Sequence, residues 1–484
     1  MAGRKITCLH LIEAADKPVT ANRQILIADE HIAAVSPIPA GTAAAPVLAM
    51  PALVNAHDHG RAVRTSSLGA SGKPLETWIQ YQAMIPAVDP HLAAIVALSR
   101  TALGGVGAVQ MHLTKPQGLT ALPAEAATIA RAAKDIGIRV GFAISMRDRN
   151  PFVYGPSEPV LESLPPEARA VFEAMALRLP PKPRDFISLC DEVAAAAAGP
   201  LFDVQFGPNG VQWCTDALLE AIAEASSRTG RRIHMHLLET PYQRAWADAV
   251  HPDGIVQHMD RLGLLSPRLT LAHCVWARSD ELEVIAARGV TIAVNTSSNL
   301  HLRSGIAPVA RMVATGCRIA LGLDGGALDD DDDALRELRL LHLLHVGKGF
   351  EVDVDRKHLL NAAFSNGRLS VTNKDEDGAL RPGNAADLLL LNWAAIDTDR
   401  LRDDIDPLQL ILVRATSRHI RELIVAGRTI VKDGKVAGVD AEAAQREFTE
   451  RLRAGMRDKP EIAAALTSLE QSIARHYEPS PGCF

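Results

Sequence analysis

Four apolar segments of this chain stop abruptly at a histidine or an aspartate, each just before a turn and a helical pattern. They are Ala52-Leu53-Val54-Asn55-Ala56-His57-Asp58-His59-Gly60, His234-Met235-His236-Leu237-Leu238-Glu239, Leu271-Ala272-His273-Cys274 and Ala320-Leu321-Gly322-Leu323-Asp324-Gly325. Side chains alternate across a strand, so His57 and His59 share one side and can grip a single metal ion. A lone His-x-His says little, and any one of the 17 histidines is more often packed or on the surface than functional. Independent residues would not fall repeatedly at strand ends in the order His-x-His, His, His, Asp. The pattern describes several strands delivering ligands to one rim, a metal site built on a barrel.

Between about residues 51 and 375, strand-like and helix-like segments alternate, as in a parallel sheet with helices outside. Eight strands are expected: Ala52–Ala56, Ala108–Leu113, Arg139–Ser145, Asp203–Phe206, Arg232–Leu237, Leu269–His273, Thr291–Asn295 and Arg318–Leu323. Eight strands close a barrel, and the four ligand-bearing ends lie on the C-terminal rim, where such barrels carry their chemistry. Residues 1–50 hold short β-like runs (Lys5–Ile12, Gln24–Ala28, His31–Val35), and residues 376–440 hold Leu388–Leu391, Ile420–Gly427 and Arg428–Gly434 joined by glycine turns. These ends read as one small β domain assembled from both termini. Residues 441–484 form a C-terminal extension, helical from Ala441 to Tyr477. The stretch Ser71–Pro90, with Trp78, is a long insertion after the first barrel strand and reads as a lid.

The chain's 484 residues suffice for one large barrel and a smaller domain, with 47% hydrophobic and 22% charged residues. A net charge of −6 and scattered basic residues argue against nucleic acid or an acidic membrane as partner. Six cysteines (Cys8, Cys190, Cys214, Cys274, Cys317, Cys483) without a C-x-x-C pair point to reduced thiols in a cytoplasm. No apolar run approaches the roughly 18 residues that span a bilayer. The run Asp329–Asp333 reads as a solvated loop and helix start.

Imidazoles of His57, His59 and His236 with the carboxylate of Asp324 make a set for one divalent ion, Zn²⁺ or Fe²⁺, with a place for water. The bound ion would lower the pKa of that water towards neutrality. Glu239, three residues past His236, is placed to move a proton between water and a substrate nitrogen, and His273 to orient the water or polarise the group under attack. His234 lies deeper on the same face as His236 and reads equally as barrel filling. His112 reaches the second strand end, as a substrate contact or a packed imidazole. Arg147 and Arg149 follow the third strand and Arg303 the seventh; two of them facing the pocket would imply an anionic group on the substrate. Asp58 points away and is structural.

These motifs resemble the amidohydrolase superfamily, in particular its cytosine deaminase-like branch with the chlorotriazine hydrolases and the S-adenosylhomocysteine and guanine deaminases. The resemblance rests on Asn55-Ala56-His57-Asp58-His59, His236-Leu237-Leu238-Glu239-Thr240, His273-Cys274-Val275-Trp276, Asn295–Leu300 with Ser304-Gly305, and Leu321–Gly325. It implies an α/β fold, a distorted (β/α)8 TIM barrel with a small β-sandwich domain. It also implies His57, His59, His236 and Asp324 as metal ligands, Glu239 as proton shuttle, His273 beside the hydrolytic water and Asp324 as acceptor of that water's proton. Gln205–Gly210 offers no lysine to bridge two metals, which favours one ion per subunit, Zn²⁺ first and Fe²⁺ second. Asp58 and Leu328 depart from the branch, the latter where a serine is commoner. Trp78, His112, Arg147, Asn299 and Arg303 are the expected substrate contacts.

The expected activity is hydrolytic deamination of an aminated N-heterocycle by a metal-bound hydroxide in a cytoplasmic homodimer or higher homo-oligomer acting on a small molecule. One alternative is hydrolysis of an amide, carbamate, alkylamino or chloro substituent. Another is an inactive barrel scaffold, which the intact ligand set argues against.

Overall fold

The computed structural model describes residues 3–149, 152–176, 182–326, 328, 330–374, 377–457 and 460–478; Asp329 and Cys483 lie outside the described residues. Strands β1 (Arg4–Leu11), β2 (Thr20–Ala28), β3 (His31–Pro37) and β4 (Val47–Pro51) precede the barrel. The barrel strands are β5 (Leu53–Asp58), β6 (Val106–Leu113), β7 (Arg139–Met146), β8 (Phe202–Pro208), β9 (Ile233–Leu237), β10 (Leu269–His273), β11 (Thr291–Val294) and β12 (Arg318–Leu321). A hairpin, β13 (Gly347–Lys348) and β14 (Glu351–Val352), follows. Then come β15 (Leu388–Asn392), β16 (Ile420–Val425), β17 (Arg428–Lys432) and β18 (Lys435–Val436).

Strands β5 to β12 pair in parallel in chain order, so the eight expected barrel strands are all present and neighbours in sequence are neighbours in space. Every residue of β6, β9 and β10 is buried, because a parallel sheet is covered on both faces and its strands read as unbroken apolar runs. The ring is drawn together between β5 and β12 outside the regular ladder. There the Asp324 amide donates to the His57 carbonyl at 2.9 Å and the Leu323 amide to Asn55 Oδ1 at 3.0 Å.

The termini build one hydrogen-bonded eight-stranded sheet in the order β18-β17-β16-β15-β4-β1-β2-β3. Antiparallel pairing of β15 with β4, from Leu388 opposite Pro51 to Asn392 opposite Val47, joins the two ends of the chain. A buried ion pair pins this sheet to the barrel. Asp387, just before β15, accepts from Arg139 Nε at 2.9 Å at the start of β7, from Arg368 Nη1 at 2.8 Å and from the Ala426 amide at 2.7 Å.

The helix Ala441–Arg457 buries Phe448 among Ala62, Val63, Val88, Ala93, Val96 and Ala97. The last helix, Pro460–Tyr477, places Leu466, Leu469 and Ile473 in a cluster with Phe152, Val160 and Phe172. The acidic run differs from its expected solvated form. Asp333 caps helix Ala334–His345 through Leu335 and Arg336, as a helix start should, but of the run's described members Asp332 and Asp333 are buried while Asp330 and Asp331 face solvent. The reason is that Asp333 Oδ2 also accepts from the Ser417 amide at 2.8 Å, which draws the run into the protein. The five described cysteines are buried and free of disulfides.

Burial alone would raise the pKa of Asp387, but Arg368 and Arg139 overcome it and hold the carboxyl at about 2, against 3.8 for a free group. A depressed folded pKa means stability that is full above pH 4 and fades as pH falls towards 2, on the order of 2 kcal/mol for this carboxyl. Asp387→Asn should therefore unfold about 3–5 kcal/mol more easily at pH 7, since two guanidinium groups lose their buried partner. Urea titrations should show the gap from wild type narrowing between pH 4 and pH 2; a gap constant over that range would exclude the ion pair as its source.

Candidate active site

The strand ends deliver their polar groups to one buried point. Asp324 Oδ1 lies 3.4 Å from His57 Nε2 and 3.1 Å from His59 Nε2, and His236 Nε2 lies 3.2 Å from His59 Nε2. The outer nitrogens are already committed: His59 Nδ1 donates to the His112 carbonyl at 2.9 Å and His236 Nδ1 to the Asn209 carbonyl at 2.7 Å. With their protons held there, the two Nε2 lone pairs face each other across 3.2 Å. Such an opposition is repulsive until a cation sits between them. His57 Nε2, His273 Nε2, Asp324 Oδ1 and Glu239 Oε1 are likewise buried without a hydrogen-bond partner. Ligand atoms of His57, His59 and Asp324 lie within 4.8 Å of one another, as do those of His57, His236 and His273. This donor set of imidazole nitrogens and one carboxylate fits a divalent ion such as zinc.

Electrostatics agrees. Burial, then the charge of Arg61, lowers the pKa of His59 to about 3, and burial lowers that of His273 to about 4. His236 and His234 are also pushed well down by burial and by the neighbouring imidazoles, so the rings are neutral. Burial opposes ionisation of Asp324, but His57 and His59 more than offset it and its pKa falls well below the usual range. Glu239 is shifted oppositely, well upward, by burial first and then by the charges of Asp324 and Glu76. The shift favours the protonated carboxyl, the form that can donate a proton.

A layer beneath holds these groups in place. His57 Nδ1 meets His234 Nε2 at 2.7 Å, and His273 Nδ1 donates to Asn299 Oδ1 at 2.8 Å. Ser298 Oγ donates to Asp324 Oδ2 at 2.7 Å. The backbone is strained at the same places: Leu238, His273, Cys274 and Asp324 have positive φ, an uncommon conformation for residues other than glycine and one that clusters at functional sites.

Above the cluster is a cavity of about 260 Å³ lined by His59, His236, Glu239, His273 and Asp324 at its floor. Helix Leu75–Trp78 and the turn Ile79–Met84 line another side, where the lid was expected. Of the expected substrate contacts, Trp78 and Arg147 line this cavity. Asn299 and His112 lie one layer away: Asn299 holds His273, and His112 is buried with its Nε2 on the Gly207 carbonyl at 3.0 Å and its own carbonyl on His59. Arg303 is exposed and is not brought to the cavity, and Arg149 is turned to the Val211 carbonyl.

Other groups carried no role in the sequence reading. Glu76 Oε1 accepts from Tyr154 OH at 2.9 Å and from Thr240 Oγ1 at 2.7 Å, and Gln243 bridges Tyr154 to the Glu239 amide. Arg61 enters the cavity after Gly60, whose positive φ turns the chain. Of these, only Arg61 had a local signal, its place two residues after the His-x-His motif.

An eight-stranded parallel barrel with a His/Asp cluster able to hold a metal at its C-terminal rim has the architecture of metal-dependent barrel hydrolases. The family model described as "Amidohydrolase family" matches residues 48–430, and the chain belongs to that family. It is 30% identical over 251 residues to a 5'-deoxyadenosine deaminase of Methanopyrus kandleri, covering 52% of this chain and 57% of that protein. It is 31% identical over 251 residues to a 5-methylthioadenosine/S-adenosylhomocysteine deaminase of Dictyoglomus turgidum, covering 51% and 58%. The chain thus matches somewhat over half the length of these relatives. Among solved structures, an adenosine deaminase from Xanthomonas campestris with bound zinc superposes with a TM-score of 0.73 at 21% identity, covering 93% of this chain and 98% of that one. An atrazine chlorohydrolase mutant from Arthrobacter aurescens, solved with zinc and atraton, gives 0.77 at 21%, covering 93% and 99%.

Asn55 joins site to barrel seam, since its Oδ1 also accepts from the His57 amide and its Nδ2 donates to Asp58 Oδ2. Asn55→Ala should cost about 2–4 kcal/mol in urea unfolding, because buried partners are left unsatisfied; a variant as stable as wild type would show that the seam holds without it.

Proposed function

We propose that this protein is a hydrolytic deaminase of an aminated N-heterocycle that works with one divalent ion per subunit, zinc first and iron second. The observation that supports it most is Glu239, a carboxyl kept protonated by burial and facing His273 and Asp324 across the cavity floor, with His273 Nε2 3.6 Å from Glu239 Oε2 and 4.0 Å from Asp324 Oδ2. His57, His59, His236 and Asp324 would hold the ion, which when bound would supply Lewis-acid activation of a water. Glu239 gives its proton to the ring nitrogen beside the amine-bearing carbon, which makes that carbon electron-poor. His273, neutral and fixed by Asn299, holds the attacking water in line with the carbon. Asp324 takes one proton of the water and passes it to the leaving nitrogen, and the hydroxyl left on the carbon returns its proton to Glu239 as ammonia departs. The sum is ring C–NH2 plus water giving ring C=O plus ammonia.

The named activities of the deaminase relatives support this reading of a C–N bond hydrolase. Trp78 and Arg147 are its substrate contacts, and Asn299 and His112 act through the imidazoles they hold. A homo-oligomer in a cytoplasmic setting belongs to the same proposal. No helix among the described residues is long and apolar enough to cross a membrane.

Glu239→Gln should lower ammonia release about 10²- to 10⁴-fold with metal content unchanged, as expected for loss of a general acid. The test is a coupled ammonia assay across aminated purines, pyrimidines, pterins and triazines. Release of chloride or an alkylamine instead would move the reading to the other substituents this scaffold can displace. His57→Ala should reduce bound zinc, measured by plasma mass spectrometry after dialysis, from about one equivalent to a small fraction. Full zinc retention in that variant would overturn the assigned ligand set.

A further inference from the structure

Arg61 is a cation inside the cavity without a hydrogen-bonding partner to match it. Its side chain is 12% exposed, and its Nη1 is 3.7 Å from Asp324 Oδ1, beyond hydrogen-bond range. Nε and Nη1 are buried and make no hydrogen bond. Of the other two carboxyl groups near it, Asp58 has its two oxygens taken by Asn55 Nδ2 and the Gly60 amide, and Glu239 makes no hydrogen bond to it. The only carboxylates among the described residues lining the cavity are Glu239 and Asp324, whereas Arg61, Lys115 and Arg147 all line it. Arg61 also lies over the indole of Trp78, 5.0 Å from the ring centre, which holds the guanidinium in place. Buried donors held in place and left unmatched mark where an acceptor belongs. A guanidinium fork is suited to a negatively charged oxygen.

We propose that Arg61 is a substrate-binding residue that selects heterocycles carrying a further ring oxygen, as an oxo group that can carry negative charge, and disfavours rings such as adenine that have none. Because the guanidinium stands beside Asp324, at the His/Asp cluster, the oxygen it takes is on the reacting ring and not on a distant substituent. The word "aminated" in the substrate class rests on the deaminase reading; the choice of ring rests on Arg61 alone. The ring preference therefore separates this chain from relatives named for 5'-deoxyadenosine.

Equilibrium binding tests the assignment without turnover. Zinc-loaded wild type, Arg61→Met and Arg61→Lys would be titrated calorimetrically with two matched pairs, xanthine against hypoxanthine and uracil against 2-pyrimidinone. Wild type should bind the member with the extra oxygen roughly 10- to 100-fold more tightly, the range of a hydrogen bond to a charged group. That ratio should fall to about one to three in Arg61→Met and lie between in Arg61→Lys, which keeps the charge and loses the fork; the lysine variant also covers the case of a methionine variant that does not fold. Equal affinities in wild type, an unchanged ratio in both variants, or no binding of any of the four rings would overturn the proposal. Ammonia release from guanine and isocytosine is measured separately. Its absence alongside a clear, Arg61-dependent binding preference would remove the deaminase reading and leave the Arg61 assignment standing.

Discussion

The closure of the barrel and the assembly of the site are one interaction. First and last barrel strands meet through the Asp324 amide on the His57 carbonyl and through Asn55, so the residues that finish the ring also belong to or touch the His/Asp cluster. A chain that failed to close would have no site, and a site that slipped would open the seam. Positive φ at Leu238, His273, Cys274 and Asp324 costs on the order of 1–3 kcal/mol at each residue, and such strain persists only where the surrounding fold over-determines it. The seam and the buried hydrogen bonds beneath the imidazoles provide that constraint.

Within this frame the cavity sorts its protons by environment. Burial favours the neutral rings of His59, His234, His236 and His273, the turn of His57 and His59 towards Asp324 favours its ionised form, and burial close to that negative charge favours the protonated form of Glu239. Two carboxyl groups on one cavity floor are thereby shifted in opposite directions, the arrangement that pairs an acid with a base in one site.

How much of this could be read from the chain follows from what is local. Parallel strands covered on both faces appear as apolar runs, and ligand residues at their ends interrupt those runs, so β5, β9, β10 and β12 were visible together with their histidines and aspartate. The pairing of both termini was visible through glycine-bounded β runs. Contacts between distant segments left no such trace: Glu76, Tyr154 and the helix start Thr240–Gln243 are separate in sequence and meet only in the fold. Nor does residue type reveal left-handed backbone at His273 or Asp324, which tertiary contacts impose on ordinary side chains. Arg303 and Arg147 both followed strand ends, yet only Arg147 reached the cavity, because loop direction is set by packing that periodicity does not encode.

The lid is fastened from the far end of the chain. Lys73 and Tyr81 both bond to Glu470 on the last helix, the first pair separated by 397 positions, and the Tyr154 amide bonds to Tyr477 OH on the same helix. This wall of the cavity is thus anchored outside the barrel, on a segment that supplies none of the His/Asp cluster. Changes in that helix can reshape what the cavity admits while the His/Asp cluster at the strand ends stays as it is, so the mouth of such a fold can be altered without touching its floor.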